Sequence, residues 1–154
     1  MSTIYIASDH RGFNLKNKLK LEHPTFIDLG PTVYNPDDDY NDFAKTLAKK
    51  VLETPGSMGV LICGSAIGVS IQANRYKGIR AAVVSDIDSA KKTREHNDAN
   101  VLCLSADHVT EAKDPLETEK SLEDISAIVE AFLNTPFSDE PRHLRRIKKL
   151  DEDL

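Results

Sequence analysis

Short apolar runs alternate with amphipathic segments along the chain as far as residue 104. The apolar runs, which predict β-strands, cover residues 3–7, 25–29, 58–63, 79–84 and 101–104. Four of them are followed by segments with helical spacing of apolar positions, at residues 13–21, 42–52, 66–75 and 86–97. Repeated strand–helix units of this kind predict an α/β fold, in which a parallel sheet is covered by helices on both faces.

Polar loops follow several of the predicted strands. In parallel α/β sheets, ligands bind beyond the carboxyl ends of the strands. The loops at residues 8–12, 64–68 and 85–87 are therefore expected to border one crevice. Catalytic side chains are therefore most expected in these three loops.

The chain beyond residue 104 has a different pattern. Residues 107–120 are charged and contain Pro115, which indicates a surface loop or insertion. Residues 121–124 (Ser-Leu-Glu-Asp) resemble a capping box that opens a helix with one apolar face. The pattern of residues 142–150 predicts a final helix with a basic face, which would form a C-terminal helical tail. One domain spanning residues 1–154 is the simplest account.

Composition and charge limit the classes of protein to which this chain could belong. Hydrophobic residues make up 40% of the chain and charged residues 29%, which favours a globular protein over a disordered one. The net charge of −5 argues against general binding to nucleic acid or an anionic membrane. The two cysteines, Cys63 and Cys103, lack zinc-site spacing, and no apolar run approaches the ~20 residues that span a bilayer. Sparse cysteine, with no secretory signal at residues 1–7, predicts a cytoplasmic protein.

The segment from Cys63 to Gly68 (Cys-Gly-Ser-Ala-Ile-Gly) is the strongest candidate for a reactive site. A buried strand ends there, and a loop of small residues opens a helix. Backbone N–H groups in such a loop can bind a phosphate or a developing oxyanion, and a helix N-terminus favours a thiolate. The alternative is a packed cysteine at a strand end, followed by a tight turn. On this motif alone, the alternative is favoured.

Three further polar groups could take part in the same chemistry. Asp9 and His10 follow the first strand, where they could exchange protons with hydroxyl groups, although Asp9 could equally cap the next helix. His96 ends a helix, so it could face the other side of the fold and serve a partner subunit, or simply interact with the helix dipole. Arg142 and Arg146 share a helix face and could bind phosphate or be solvated.

A collinear series of segments resembles the ribose-5-phosphate isomerase type B family, which also includes galactose-6-phosphate and allose-6-phosphate isomerases. The segments are residues 8–13 (SDHRGF), 39–44 (DYNDFA), 63–71 (CGSAIGVSI), 73–75 (ANR), 78–81 (GIRA), 96–101 (HNDANV), and Arg142-His143 with Arg146. The match runs from Ile4 to about Ile147. Because all of these segments occur in the same order as in the family, the functional interpretation of each group named above is favoured over its alternative.

The resemblance implies an aldose–ketose isomerase that interconverts ribose 5-phosphate and ribulose 5-phosphate through an enediolate. Cys63 would be the base that moves a proton between C2 and C1, and Ser65 would move protons between the two oxygens. Asp9, with His96 from a partner subunit, would open the sugar ring. The implied substrate-binding groups are the amides of Gly64, Ser65, Ala66, Ile67 and Gly68, the side chains of His10, Arg142 and Arg146 for the phosphate, and Asn97.

The resemblance also implies an architecture and an assembly. The fold would be a three-layer α/β/α arrangement around a five-stranded parallel, Rossmann-like sheet. The site would lie at the interface of a homodimer, which could assemble further into a tetramer. The only implied ligand is a small sugar phosphate, with no metal ion and no organic cofactor.

Three positions depart from the family pattern. Many members carry an arginine that binds phosphate across the dimer at the position of Asp107, where a carboxylate would repel phosphate. His108 could replace that arginine, or the longer segment at residues 107–120 could carry the chain away. Asn41 replaces the usual proline, and Ser8 replaces a common cysteine. The change at Asp107 bears on substrate identity and phosphate affinity more than on the reaction class.

Other functions remain open from the sequence. An isomerase of a six-carbon sugar phosphate would have the same fold and would differ in pocket depth. A non-catalytic homologous subunit would have lost the catalytic residues, whereas Cys63, Ser65, Asp9 and His96 are all present. A flavodoxin-like binder of a nucleotide or flavin is supported by fold analogy alone, which is weak evidence of function.

Overall fold

The structure of the chain is a computed structural model that describes residues 2–107, 109–110 and 120–154. The strands are β1 (Ile4–Ser8), β2 (Ile27–Asp28), β3 (Met58–Cys63), β4 (Ala81–Val83), β5 (Val101–Ser105), β6 (Val109–Thr110) and β7 (Lys120–Ser121). The helices are α1 (Phe13–Glu22), α2 (Tyr40–Glu53), α3 (Ile67–Ala73), α4 (Ile87–Asn97), α5 (Leu122–Asn134) and α6 (Pro141–Lys149).

The first five strands form one parallel sheet in the order β2-β1-β3-β5-β4. The central strand is β3, which pairs with β1 on one side and β5 on the other. The nearly continuous apolar runs of β3 and β5 are typical of strands buried on both faces. In register, Ile62 lies beside Ser8, and Cys63 lies beside Ser105. The predicted five-stranded parallel sheet is confirmed, and its carboxyl edge brings the ends of β1, β3 and β5 together.

Helices cover both faces of the sheet. On one face, the sheet packs against buried side chains that include Leu15 and Leu19 of α1 and Val129 and Phe132 of α5. On the other face, the side chains of α2 and α3 pack against alternate residues of the same strands, Cys63 among them. Because successive residues of a strand point to opposite faces, one apolar strand supplies both cores. The predicted three-layer α/β/α arrangement is therefore confirmed.

The edge strands are shorter than the sequence predicts. The predicted strand at residues 25–29 is Ile27–Asp28, and the one at residues 79–84 is Ala81–Val83. Each of these strands pairs on one side only, and the flanking Leu29 and Val84 each keep one backbone hydrogen bond to the neighbouring strand. The predicted helix at residues 66–75 is also shorter, at Ile67–Ala73, and it begins after Ala66, which has a left-handed backbone.

Short contacts fix the loop after β1 against the end of β3. Gly12, at the start of α1, lies so close to β3 that a Cβ there would come within 2.7 Å of the Ile62 side chain. The Asp9 N–H donates to the carbonyl of Ile62 at 3.2 Å. The loop that carries Asp9 and His10 is therefore held directly beside Cys63.

The chain after β5 is described only in part. Residue 108 and residues 111–119 lie outside the described residues, and with them most of the segment predicted to be a surface loop or insertion. The short parallel pair β6–β7 borders that segment and was not predicted. The predicted capping box is present, since Ser121 Oγ accepts from the Asp124 N–H and the Asp124 carboxylate accepts from the Ser121 N–H. None of the described helices has the length and apolar character needed to cross a membrane.

Candidate active site

Cys63 is the last residue of β3 and lies at the carboxyl edge of the sheet. Its side chain is buried on the face covered by α2 and α3. The other free thiol, Cys103, lies two residues further back on the neighbouring strand, opposite Leu61. Burial raises the pKa of the Cys103 thiol, and the nearby Cys63 adds to this effect. Cys63 therefore occupies the loop end of the strand, while Cys103 belongs to the core.

The loop after Cys63 turns its backbone through a left-handed residue. Ala66 has a φ of 68°, which costs a residue with a side chain about 1 kcal/mol or more. The Ile67 N–H donates to Ser65 Oγ at 3.2 Å, while the N–H groups of Ser65 and Ala66 have no acceptor within the described part of the chain. Two neighbouring amides without acceptors can bind an oxyanion. Because α3 has only seven residues, the loop itself would supply most of this binding.

Tyr40 covers the first turn of α3. A Cβ on Gly68 would lie 2.8 Å from the Tyr40 ring, so only glycine allows this approach. The next residue, Asn41, donates from Nδ2 to the Gln72 side-chain oxygen at 2.9 Å. The Asn41 side chain therefore joins α2 to α3.

Asp9, His10 and Asp38 form a polar cluster beside the Cys63 loop. The Asp9 carboxylate accepts from the Gly12 N–H at 3.1 Å, so Asp9 does stabilise the start of α1. The His10 Nδ1 lies 2.7 Å from Asp38 Oδ1, and the His10 backbone N–H donates to the same oxygen at 3.0 Å. Asp38 comes from the loop before α2, 28 residues away. One carboxylate therefore fixes both the backbone and the ring of His10.

The cluster also shifts the acidity of Asp9. Burial raises the pKa of Asp9 above its ordinary value, and the nearby Asp38 charge raises it further, while the Gly12 N–H opposes the shift. Asp9, His10 and Asp38 each offer a metal-ligand atom within 4.8 Å of the others. However, the Nδ1 of His10 and the Oδ1 of Asp38 already bind each other. The cluster is better suited to proton exchange than to holding a metal ion.

Asp107 lies beside the loop that follows Cys63, so the chain after β5 stays close to this loop. Its backbone N–H donates to the Gly64 carbonyl at 3.0 Å, and its carboxylate packs over the Gly64 Cα. The carboxylate also forms an ion pair with Arg11 in the loop after β1. The unfavourable charge expected at this position is therefore compensated by a guanidinium from the same chain. His108, the residue suggested from the sequence as a replacement for the arginine, lies outside the described residues.

His96 and Asn97 lie at the opposite end of the fold. Because α4 runs antiparallel to the strands, its last residues lie at the amino edge of the sheet, far from the Cys63 loop. Both residues are exposed and line a hollow of about 250 Å³, together with His143 and Arg146 of α6. The His96 and His143 rings stack with centroids 4.5 Å apart. The expectation that His96 faces away from Cys63 in its own chain is confirmed.

Arg142 is less closely tied to this hollow than Arg146. Its Nε donates to the Glu140 carboxylate at 3.0 Å, and its side chain is 59% exposed. Arg146 lines the hollow itself. Within one chain, the structure therefore forms two separate groups: Asp9, His10 and Cys63 with its loop at one edge, and His96, Asn97 and Arg146 at the other.

Sequence reasoning missed three side chains that the structure places in these groups. They are Arg11, Asp38 and His143. Arg11 and His143 fall inside the segments used for the resemblance, but no role was attached to them. Asp38 stands in an acidic run, where the sequence gives no sign of which carboxylate turns inward.

Comparison with known proteins identifies the family. The family model described as Ribose/Galactose Isomerase matches residues 4–150. The chain belongs to the ribose/galactose isomerase family. A Mycoplasma pneumoniae protein, described as a probable ribose-5-phosphate isomerase B, is 44% identical over 151 residues, which cover 96% of this chain and 91% of that protein. The ribose-5-phosphate isomerase B of Mycolicibacterium paratuberculosis is 37% identical, covering 97% and 89% of the two chains.

Solved structures in the family have the same fold. The crystal structure of ribose-5-phosphate isomerase B from Mycoplasma genitalium, with bound ribulose-5-phosphate, has a TM-score of 0.81 at 38% identity, covering 96% of this chain and 93% of that one. The structure of a ribose 5-phosphate isomerase from Thermotoga maritima has a TM-score of 0.83 at 39% identity and covers 98% of both chains. The family resemblance stated from the sequence motifs is thus confirmed.

Proposed function

We propose that this chain catalyses the interconversion of ribose 5-phosphate and ribulose 5-phosphate. The observation that carries the proposal is the position of Cys63, a free thiol at the end of the central strand, directly before amides without acceptors and beside Asp9. The names of the family members compared above support the choice of substrate.

The isomerisation needs a base, groups that bind an oxyanion, and a proton shuttle. The Cys63 thiolate takes the proton from C2 of the open aldose, and the electrons of that bond form the enediolate. The amides of residues 64–68 stabilise the oxygens that gain charge. Ser65 moves a proton from O2 to O1, and Cys63 returns its proton to C1, which completes the ketose with no net change in atoms or electrons.

Ring opening needs two further groups, one to take the proton from the ring hydroxyl and one to protonate the ring oxygen. Asp9 borders the Cys63 loop, and burial raises the pKa of this carboxyl, which suits a group that exchanges protons. His96 lies too far from Cys63 in its own chain, so we assign the second role to the partner subunit's His96. The active assembly is then a homodimer, alone or within a tetramer, with two equivalent sites.

The phosphate would be bound by groups from both subunits. His10 comes from the chain that supplies Cys63, and its ring is fixed by Asp38. Arg142 and Arg146 come from the partner, together with Asn97, which contacts the sugar. No metal ion or organic cofactor takes part in these steps. The free thiols of Cys63 and Cys103 suit a reducing compartment, so we place the enzyme in the cytoplasm.

A six-carbon substrate is the second candidate, because the family's description includes galactose isomerases. Turnover by the purified chain on ribose 5-phosphate, allose 6-phosphate and galactose 6-phosphate distinguishes the two. We expect the kcat/KM for ribose 5-phosphate to exceed that for either hexose phosphate by at least about tenfold. A preference for a hexose phosphate would replace the first substrate with the second. Absence of turnover on all three, with binding retained, would favour a non-catalytic subunit.

A further inference from the structure

The ion pair between Arg11 and Asp107 crosses the carboxyl edge of the sheet. Arg11 follows β1, Asp107 follows β5, and β3 lies between these two strands. All three strands are parallel, so their ends lie at one edge. The bond from the Arg11 guanidinium to Asp107 Oδ1 therefore passes over the end of β3, where Cys63 and Gly64 lie.

Asp107 is the fixed member of this pair. Its N–H donates to the Gly64 carbonyl at 3.0 Å, and the Ala106 N–H donates to the Cys63 carbonyl at 3.0 Å. The Asp107 carboxylate packs so closely on Gly64 that a Cβ there would lie 2.9 Å from Oδ1. The Ser105 hydroxyl donates to the same Gly64 carbonyl at 2.6 Å. The position of the carboxylate is thus set by the loop that follows Cys63.

Arg11 is the member that can move. Its side chain is 57% exposed, against 30% for Asp107, and Asp107 is its side-chain partner among the described residues. A guanidinium has five N–H donors, so most of them remain for another acceptor. An exposed ion pair adds little to stability, so breaking this one costs little.

A phosphate is a stronger partner for Arg11 than the carboxylate is. A phosphate dianion carries more charge than a carboxylate and accepts parallel hydrogen bonds from the planar guanidinium. Arg11 directly follows His10, whose backbone and ring are both bound to Asp38. The main chain at Arg11 is therefore fixed while its side chain lies over the crevice.

We propose that Arg11 binds the phosphate of the substrate, and that Asp107 holds the Arg11 guanidinium over the Cys63 loop until the phosphate displaces it. This role rests on the proposed function, since it requires a phosphorylated substrate. When the substrate enters, Arg11 exchanges one anion for another, and the partly exposed Asp107 carboxylate becomes hydrated. Asp107 thus competes with the substrate for Arg11 and lowers the affinity of the site.

Two substitutions should change the KM for ribose 5-phosphate in opposite directions. Arg11→Met removes the phosphate contact, so we expect KM to rise about tenfold, with kcat within about twofold of the unsubstituted chain. Asp107→Asn removes the negative charge that attracts Arg11 and so weakens the pair, and we expect KM to fall about twofold to threefold. Arg11→Lys should lie between Arg11→Met and the unsubstituted chain. The exposed Lys49 of α2 gives the matched control, because Lys49→Met removes a positive charge away from the crevice.

The opposite directions of the two KM changes distinguish a role of Arg11 in substrate binding from a purely structural ion pair. If the pair only holds two loops together, Arg11→Met and Asp107→Asn will both raise KM or both leave it unchanged, and the proposal is then wrong. If Arg11→Met does not fold, the direction of the change in Asp107→Asn decides alone. If the chain does not isomerise ribose 5-phosphate, the proposed function fails, yet calorimetric titration with inorganic phosphate still tests Arg11. Binding that is undetectable, or equal in all variants, would overturn its role.

Discussion

The Nδ1 of His10 lies 2.7 Å from Oδ1 of Asp38, the same oxygen that accepts the His10 backbone N–H at 3.0 Å. The Asp38 side chain is only 9% exposed, so the bond forms away from bulk water. With Nδ1 engaged, the Nε2 of His10 is the ring atom left for a substrate. Asp38 is therefore a positioning residue for His10.

Replacing Asp38 should affect substrate binding more than turnover. Asp38→Ala removes both hydrogen bonds to His10, so we expect the KM for ribose 5-phosphate to rise about tenfold, with a smaller change in kcat. Asp38→Asn keeps an oxygen that can accept both bonds and should recover most of the affinity. Steady-state kinetics of the two variants check this. Equal defects in Asp38→Asn and Asp38→Ala would show that the charge, rather than the orientation of His10, matters.

A shared active site can be tested by mixing two inactive variants. Cys63→Ala lacks the base and His96→Asn lacks the ring-opening group, so each homodimer should be nearly inactive. A mixed dimer has one site with both groups intact. Random reassociation should restore about a quarter of the normal activity, because half of the dimers are mixed and each has one intact site. If the mixture stays inactive after reassociation is shown by mass, the partner subunit's His96 is not part of the site.

We expect the buried hydroxyl of Ser8 to lower the stability of the fold. Its side chain is fully buried, and Oγ has no hydrogen-bond partner within the described part of the chain. Leaving such a group unsatisfied costs about 1–3 kcal/mol. Ser8→Ala keeps the bond from the residue 8 N–H to the Gly30 carbonyl, and should raise the free energy of unfolding in urea by about 1 kcal/mol. A loss of stability would mean that the hydroxyl is satisfied in solution.

His143 should make the fold sensitive to mild acid. Burial lowers the pKa of His143, and the electrostatic interactions with Arg142 and His96 lower it further. A group with a lowered folded pKa stabilises the fold above its unfolded pKa, and this contribution is lost as pH falls from about 6.5 towards the folded value. Urea unfolding at pH 7.5 and 5.5 should show a larger loss for the unsubstituted chain than for His143→Gln. Equal losses would contradict the assignment.

The sequence predicts the sheet well because the signal is local. The apolar runs of β3 and β5 and the amphipathic pattern of α2 are read directly from neighbouring residues. The lengths of β2 and β4 are not, because they depend on which neighbour pairs with each strand. In α5, the cap at Ser121 is local again, and its prediction is confirmed.

The site is only partly encoded in local patterns. The order of motifs identifies Cys63 and Asp9, since each follows a predicted strand. The contacts of Arg11 with Asp107 and of His10 with Asp38 join residues 96 and 28 positions apart, so no spacing rule finds them. They arise because parallel strands bring the loops at their carboxyl ends together. Reasoning on residue 107 alone therefore missed the Arg11 guanidinium that pairs with its carboxylate.

The most direct test of the account is the turnover of Cys63→Ala on ribose 5-phosphate. The Cys63 side chain is small and partly in contact with the core, so alanine should preserve the fold, which circular dichroism can verify. If Cys63 is the base, the variant should lose at least about a thousandfold in kcat while still binding ribose 5-phosphate. A folded Cys63→Ala variant that isomerises ribose 5-phosphate at the normal rate would contradict the central claim.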